Sequence, residues 1–216
     1  MVARTRYPWL PYVLLAAGAF VMGALFLHLG SEVAEGETQA FDAFFLRAGG
    51  ALRRSHPWVE DVMRDLSGLG SLVVLALFTA AACGYLAITR SWATAAVVAT
   101  AVTSGAIAVL LFKALFGRAR PDGVFAQILV DGPSFPSGHA SMSAVVFLTM
   151  GVLVMRLQSN ARERAYVLGL AVAFTVLVGG SRVAMGVHWA TDVIGGWALG
   201  VAWATAAALV IRALGR

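Results

Sequence analysis

The sequence predicts an all-α membrane protein, folded as one bundle of six transmembrane helices. Two observations carry this. Of 216 residues, 60% are hydrophobic and only 12% are charged, with a mean hydropathy of +0.82. A soluble domain typically has about 25% charged and about 45–50% apolar residues. The chain also holds six apolar stretches that approach the ~20 residues a membrane-spanning helix needs. None of the six contains Asp, Glu, Lys or Arg.

The spans follow in order: Trp9–Leu29, Ser71–Thr89, Trp92–Phe112, Ala140–Met155, Tyr166–Gly180 and Val193–Ile211. The fourth and fifth are short as counted and are expected to extend into the polar residues beside them. The first resembles a signal peptide, but its apolar run exceeds the ~7–15 residues of a signal core, and no small-x-small cleavage site precedes the acidic stretch from Ser31 to Gln39. It is read as a retained helix. The length suits one integral membrane domain over 1–216 with no second sizeable domain.

Orientation follows from cations in the connections. With the N-terminus cytoplasmic, the inner segments hold Arg4, Arg6, Arg90, Arg156, Arg162, Arg164, Arg212 and Arg216 against one acid, Glu163. The outer segments hold the other eight cations and ten acids. Both termini are therefore expected inside, and the polar motifs outside.

Residues 30–70 form the longest outer connection. Phe41, Phe44, Phe45 and Ala48 recur at helical spacing, with Asp42, Arg47, Arg53 and Arg54 on other faces. An amphipathic helix is expected, either lying in the membrane interface or packed over the bundle. Pro57 is expected near the start of a second short helix leading to Asp65.

The net charge of +5 is spread without a basic run, which sets nucleic acid aside. Fifteen of the sixteen cations are Arg, and the one Lys is Lys113. Cys83, the lone cysteine, lies within an apolar run and reads as a small buried residue.

Three strings concentrate the polar chemistry in residues 113–192: Lys113 through Arg120-Pro121, Pro136-Ser137-Gly138-His139, and Ser181-Arg182 followed by His188 and Asp192. Lys113, Arg120 and Arg182 are spaced cations suited to phosphoryl oxygens, Arg through a planar fork and Lys as a point charge. Ser137 and Gly138 precede the fourth span, where a helix N-terminus presents free N–H groups to an anion. His139 stands at that mouth as a candidate proton donor. His188 and Asp192, four residues apart, share a helix face. A carboxylate on one imidazole nitrogen leaves the other free to attack, which makes His188 the candidate nucleophile and Asp192 its orienting partner. Metal ligation by His139, His188, Asp192 and Asp131 is the chemical rival, but so many cations in one site would repel a metal, so neither metal nor cofactor is expected. His28 and His56 are assigned no chemistry. Asp122 and Asp131 stay open between steering substrate and capping turns. With so much apolar helix around the motifs, the expected partner is a lipid phosphate in the bilayer.

These residues resemble the type 2 phosphatidic acid phosphatase family, whose pattern is Lys-x6-Arg-Pro, Pro-Ser-Gly-His and Ser-Arg-x5-His-x3-Asp. The match has no departure, though residues 1–70 fit only loosely. The resemblance implies a six-helix bundle with the core this family shares with haloperoxidases, an extracytoplasmic site in a bacterial inner membrane, phosphohistidine catalysis and no metal. It also implies phosphate binding by Lys113, Arg120, Ser137, Gly138 and Arg182, with His139 as acid. Arg118 is an extra cation in the first motif and is expected to contact the lipid headgroup or a second phosphate. Relatives act on undecaprenyl diphosphate, phosphatidylglycerol phosphate, phosphatidic acid or lipid A phosphates, and the undecaprenyl carrier is the leading expectation. Lipid-to-lipid phosphotransfer and non-catalytic binding or transport remain as alternatives.

Overall fold

The computed structural model describes residues 9–122 and 131–214; Arg4, Arg6 and Arg216, counted above toward orientation, lie outside them. Among the described residues there are eight helices and no strands. They are α1 (Leu10–Glu35), α2 (Gln39–Ser55), α3 (Trp58–Gly68), α4 (Leu72–Ile88), α5 (Trp92–Phe116), α6 (Gly138–Met155), α7 (Ala161–Ala184) and α8 (Ala190–Leu214). Five of these, α1, α5, α6, α7 and α8, are each long and apolar enough to cross a membrane. Taken together across their 41° bend, α3 and α4 meet the same measure, which gives up to six among the described residues.

The helices start and stop where local chemistry dictates. Ser71, Ser137 and Asn160 cap α4, α6 and α7, each side-chain oxygen accepting a backbone N–H of the first turn. Gly36 and Gly117 end α1 and α5 in the left-handed region, at φ 79° and 55°. Pro57 sits immediately before α3, as its fixed φ favours. The spans outrun the apolar stretches. α1 continues through Ser31 and Glu32 to Glu35, where His28 pairs with Glu32 at 3.3 Å. α7 runs from Ala161 through Arg182, because polar side chains at helix ends do not stop a hydrogen-bonded ladder.

α8 and α6 form the buried centre. α1 packs on α8, α6 packs on both α7 and α8, and α5 closes against α6 and α8. The α6–α8 seam is made of small residues. A Cβ on Gly196 would lie 2.9 Å from the Ser137 carbonyl and 3.0 Å from Ala140 Cβ, and one on Gly200 would collide with the Ser141 carbonyl and Ala144. Lipid tails are as apolar as leucine, so close backbone approach drives such a seam more than hydrophobicity does. At the polar end of the bundle, Phe26, Phe112, Phe116 and Phe135 form an aromatic cluster, with Phe26 stacked on Phe135 at 5.6 Å. This wedge holds the loop leading into α6 against α1 and α5.

The two faces of α2 differ. Phe41, Phe44 and Phe45 face outward, while Asp42, Leu46 and Gly50 are buried. The inner face packs on α7 and α8, where Gly49 lets α2 approach Ala184.

The seam carries a prediction. Gly200→Val overfills it and should lower thermal stability in detergent, by about 1–3 kcal/mol as overpacked cores do. An unchanged melting temperature would mean that α6 and α8 are not in this contact.

Candidate active site

All three motifs come together at one end of the bundle. Lys113 lies in the last turn of α5, Ser137 caps α6, Arg182 lies in the last turn of α7, and Asp192 lies in the first turn of α8. Each polar group sits at a helix end because each interrupts an apolar span there. Gly117 then matters: its left-handed conformation breaks α5 after Lys113 and turns Arg118-Ala119-Arg120 back across the bundle.

Asp192 is the hub and is fully buried. Its Oδ2 lies 3.2 Å from His188 Nδ1 and accepts the Trp189 backbone N–H at 2.9 Å. The second contact is half of a capping box, in which a residue in the first turn reaches back to the N–H at the helix start. Its Oδ1 accepts from Arg118 Nη1 at 2.6 Å and from the Ser134 hydroxyl at 3.4 Å. Its backbone carbonyl accepts the Ser137 N–H at 2.9 Å, tying the second motif to the third.

His188 is also buried. With Nδ1 held by Asp192, its Nε2 faces Arg120, whose Nη1 lies 3.1 Å away. Arg120 is anchored by donating to the carbonyls of Gly132 at 3.0 Å and Val187 at 2.9 Å. Lys113 donates to the carbonyls of Pro133 and Ser134. Lys113, Arg120, Arg182 and His188 all lie within electrostatic reach of His139. His139 Cδ2 lies beside Gly70, in the bend between α3 and α4.

Arg182, also buried, donates through Nη1 to the Ser67 hydroxyl at 2.6 Å. Its Nε has no acceptor among the described residues. A buried guanidinium with an unused donor next to two other cations is suited to an anion.

Arg118 departs from expectation. In place of a headgroup contact, its guanidinium bridges two buried carboxylates. Nη1 donates to Asp192 as above, and Nη2 donates to Asp42 at 2.6 Å. Thr191 and Thr38 hydroxyls take the second bond of each nitrogen, at 2.8 and 3.1 Å. Neither end of the fork is left for a lipid phosphate. The physical reason is its place two residues before Arg120, on the inward turn that follows Gly117.

Sequence reasoning missed Asp42, Ser67, Ser134 and Thr191. They belong to no motif and reach the site only through tertiary contact. Asp131 is exposed, within electrostatic reach of Arg120. His28 and His56 are exposed, away from these groups; His56 contacts Ser55.

Burial lowers the His188 pKa to about 4, against the opposing hydrogen bond and charge of Asp192, with Arg120 and Arg182 lowering it further. An imidazole in the unfolded chain titrates near 6.5. The unfolded chain therefore binds more protons between these values, and stability should fall as pH is lowered from about 6.5 to about 4. His188→Gln should lessen the slope of that part of the melting-temperature profile. An identical slope in the variant would contradict a buried, neutral His188.

Known proteins share this sequence pattern and fold. The family model described as PAP2 superfamily matches residues 92–216. Phosphatidylglycerophosphatase B of Bacillus subtilis is 32% identical over 179 residues, covering 82% of this chain and 86% of that one. A lipid A 1-phosphatase of Rhizobium johnstonii is 33% identical over 134 residues, 58% of this chain and 50% of that one. The crystal structure of a transmembrane PAP2-type phosphatidylglycerolphosphate phosphatase from Bacillus subtilis superposes with a TM-score of 0.81 at 26% identity, covering 92% of this chain and 98% of that chain.

Proposed function

Because the chain belongs to the PAP2 superfamily and is a membrane-integral lipid phosphatase, we propose that it works through a phosphohistidine formed on His188, without metal, at the extracytoplasmic face of a bacterial inner membrane. The observation that carries this is the setting of His188, with Nδ1 against Asp192 and Nε2 turned toward Arg120.

In this reading Lys113, Arg120 and Arg182 neutralise the phosphoryl oxygens, and the N–H groups at the start of α6, beside Ser137 and Gly138, add a helix-end dipole. The spare donor of Arg182 supports its place in that cradle. His188 Nε2 attacks phosphorus, the P–O bond to the lipid breaks, and His139 gives its proton to the departing oxygen. Asp192 stabilises the positive charge that the ring acquires. Water, deprotonated by His139, then attacks the phosphohistidine and releases phosphate. Three cations already supply the electrostatic work of a metal, which supports metal-free catalysis.

Two features support a lipid substrate approaching sideways. Lys113 and Arg182 lie at helix ends, where the apolar spans stop. An apolar groove of about 430 Å³ runs between α2, α7 and α8, lined by Phe41, Phe45, Val183 and Val193, the last two next in sequence to Arg182 and Asp192. The broad substrate class is a lipid phosphomonoester or diphosphate. Phosphatidylglycerol phosphate is the member with the support of the B. subtilis relative, and undecaprenyl diphosphate remains the carrier substrate to test beside it. Sidedness is supported by the excess of inner Arg, including Arg156, Arg162 and Arg164.

The test is phosphate release in detergent with EDTA present, from phosphatidic acid, phosphatidylglycerol phosphate, undecaprenyl diphosphate and lipid A. Wild type should release phosphate from at least one of these. His188→Ala should lose activity by at least ~10³-fold, as expected for removal of a nucleophile. Loss with EDTA that zinc or magnesium restores would contradict the metal-free reading. Phosphoryl label passing to a second lipid without free phosphate would redirect the reading to a transferase.

A further inference from the structure

We propose that Asp42 and Arg118 are positioning residues of the reaction, acting through the buried chain Asp42–Arg118–Asp192–His188. This rests on the reading of His188 as nucleophile.

An Asp–His pair works only if the carboxylate holds one orientation, and Asp192 alone does not ensure this. Its Oδ2 must face His188 Nδ1, so something must hold Oδ1. Arg118 Nη1 does so at 2.6 Å, as the shortest contact that oxygen makes. Arg118 in turn needs a fixed place. Its other nitrogen is held by Asp42 at 2.6 Å, and its guanidinium lies 5.5 Å from the Trp189 ring. Asp42 is itself tied to the start of α8. It accepts the Thr191 backbone N–H at 2.9 Å and the Thr191 hydroxyl at 2.7 Å. The first turn of α8 is thus gripped by both carboxylates, since Asp192 takes the N–H of Trp189 and Asp42 takes that of Thr191.

The residue types fit this task. Both carboxylates are almost wholly buried, at 1% exposure for Asp42 and 0% for Asp192. Each then needs charge-assisted partners. One planar fork can satisfy two carboxylates from two helices at once, whereas a lysine ammonium is a single point. The chain therefore links α2 of the outer connection to the nucleophile on the far side of the cluster. A displacement of α2 would be felt at His188.

A purely structural ion pair makes a different prediction from a positioning one. If the pair only holds the fold, variants that remain folded keep their turnover. If it positions Asp192, folded variants lose kcat while KM holds, because Lys113, Arg120 and Arg182 still bind phosphate. A misplacement of about 1 Å at a reacting group costs on the order of 10²-fold.

The experiment measures kcat and KM on phosphatidic acid and phosphatidylglycerol phosphate in detergent micelles. It uses only material that elutes as wild type does on gel filtration. Arg118→Gln should lower kcat roughly 10- to 100-fold with KM changed less than about threefold. Arg118→Lys, which keeps the charge, should recover part of the loss. Asp42→Asn, nearly isosteric and less prone to misfolding, should also lower kcat. In an Asp192→Asn background, Arg118→Gln should add less than about threefold, since its route to His188 is already cut. The inference is overturned by wild-type kcat in folded Arg118→Gln and Asp42→Asn, by a loss residing in KM, or by a full additional loss on top of Asp192→Asn. Wild-type turnover in His188→Ala would overturn the underlying site reading as well. Loss in His188→Ala with none in the other two overturns this inference alone.

Discussion

The structure depends on one constraint: a carboxylate with no exposure to solvent must be fully satisfied, and Asp192 is satisfied only when three separate parts of the chain converge on it. Its partners come from the turn after α5, the loop before α6 and the start of α8. A charged group at such a place costs much unless every oxygen is paired. The fold meets that cost by bringing Arg118, Ser134, Trp189 and His188 to it. The geometry around His188 follows from the same requirement.

The membrane frame explains why this cluster sits at helix ends. The spans are apolar throughout, so charge is tolerated only where they stop. Lys113 and Arg182 close α5 and α7, while Ser137 and Asp192 open α6 and α8. Four antiparallel helix ends of alternating sense converge on one level of the bundle. The small-residue seam between α6 and α8 sets their spacing, since Gly196 allows the backbone to pass beside Ser137 and Ala140. The bend between α3 and α4 adds the remaining wall, with Ser67 on Arg182 and Gly70 beside His139.

Much of this was legible in the sequence. Apolar runs located the spans, because a helix in lipid must be apolar along about 20 residues. The alternation of spans puts Lys113, Arg120, Ser137, His139, Arg182, His188 and Asp192 at one end, where the structure also has them. The spacing of Phe41, Phe44 and Phe45 marks one helix face, and α2 exposes all three. Asp42 was noted there only as a residue on another face. Its contact with Arg118 spans 76 positions, and that of Ser67 with Arg182 spans 115. No local pattern announces contacts of that range. As an extra cation in the first motif, Arg118 suggests contact with the lipid headgroup or a second phosphate. Its actual partners lie on helices whose packing no single motif encodes. The apolar run places the end of α1 too early, at Leu29, whereas the helix continues as a ladder to Glu35; the shortness of the fifth run already implies the extension seen in α7.

The most direct test is to catch the intermediate. Wild-type protein would be mixed with a lipid carrying a labelled terminal phosphate and quenched in alkali within milliseconds to seconds. It would then be digested and mapped by mass spectrometry under conditions that preserve phosphohistidine. An alkali-stable, acid-labile phosphoryl group on His188, absent from His188→Ala, is the predicted result. Steady turnover with no label on any residue, or label on a residue other than His188, would contradict it.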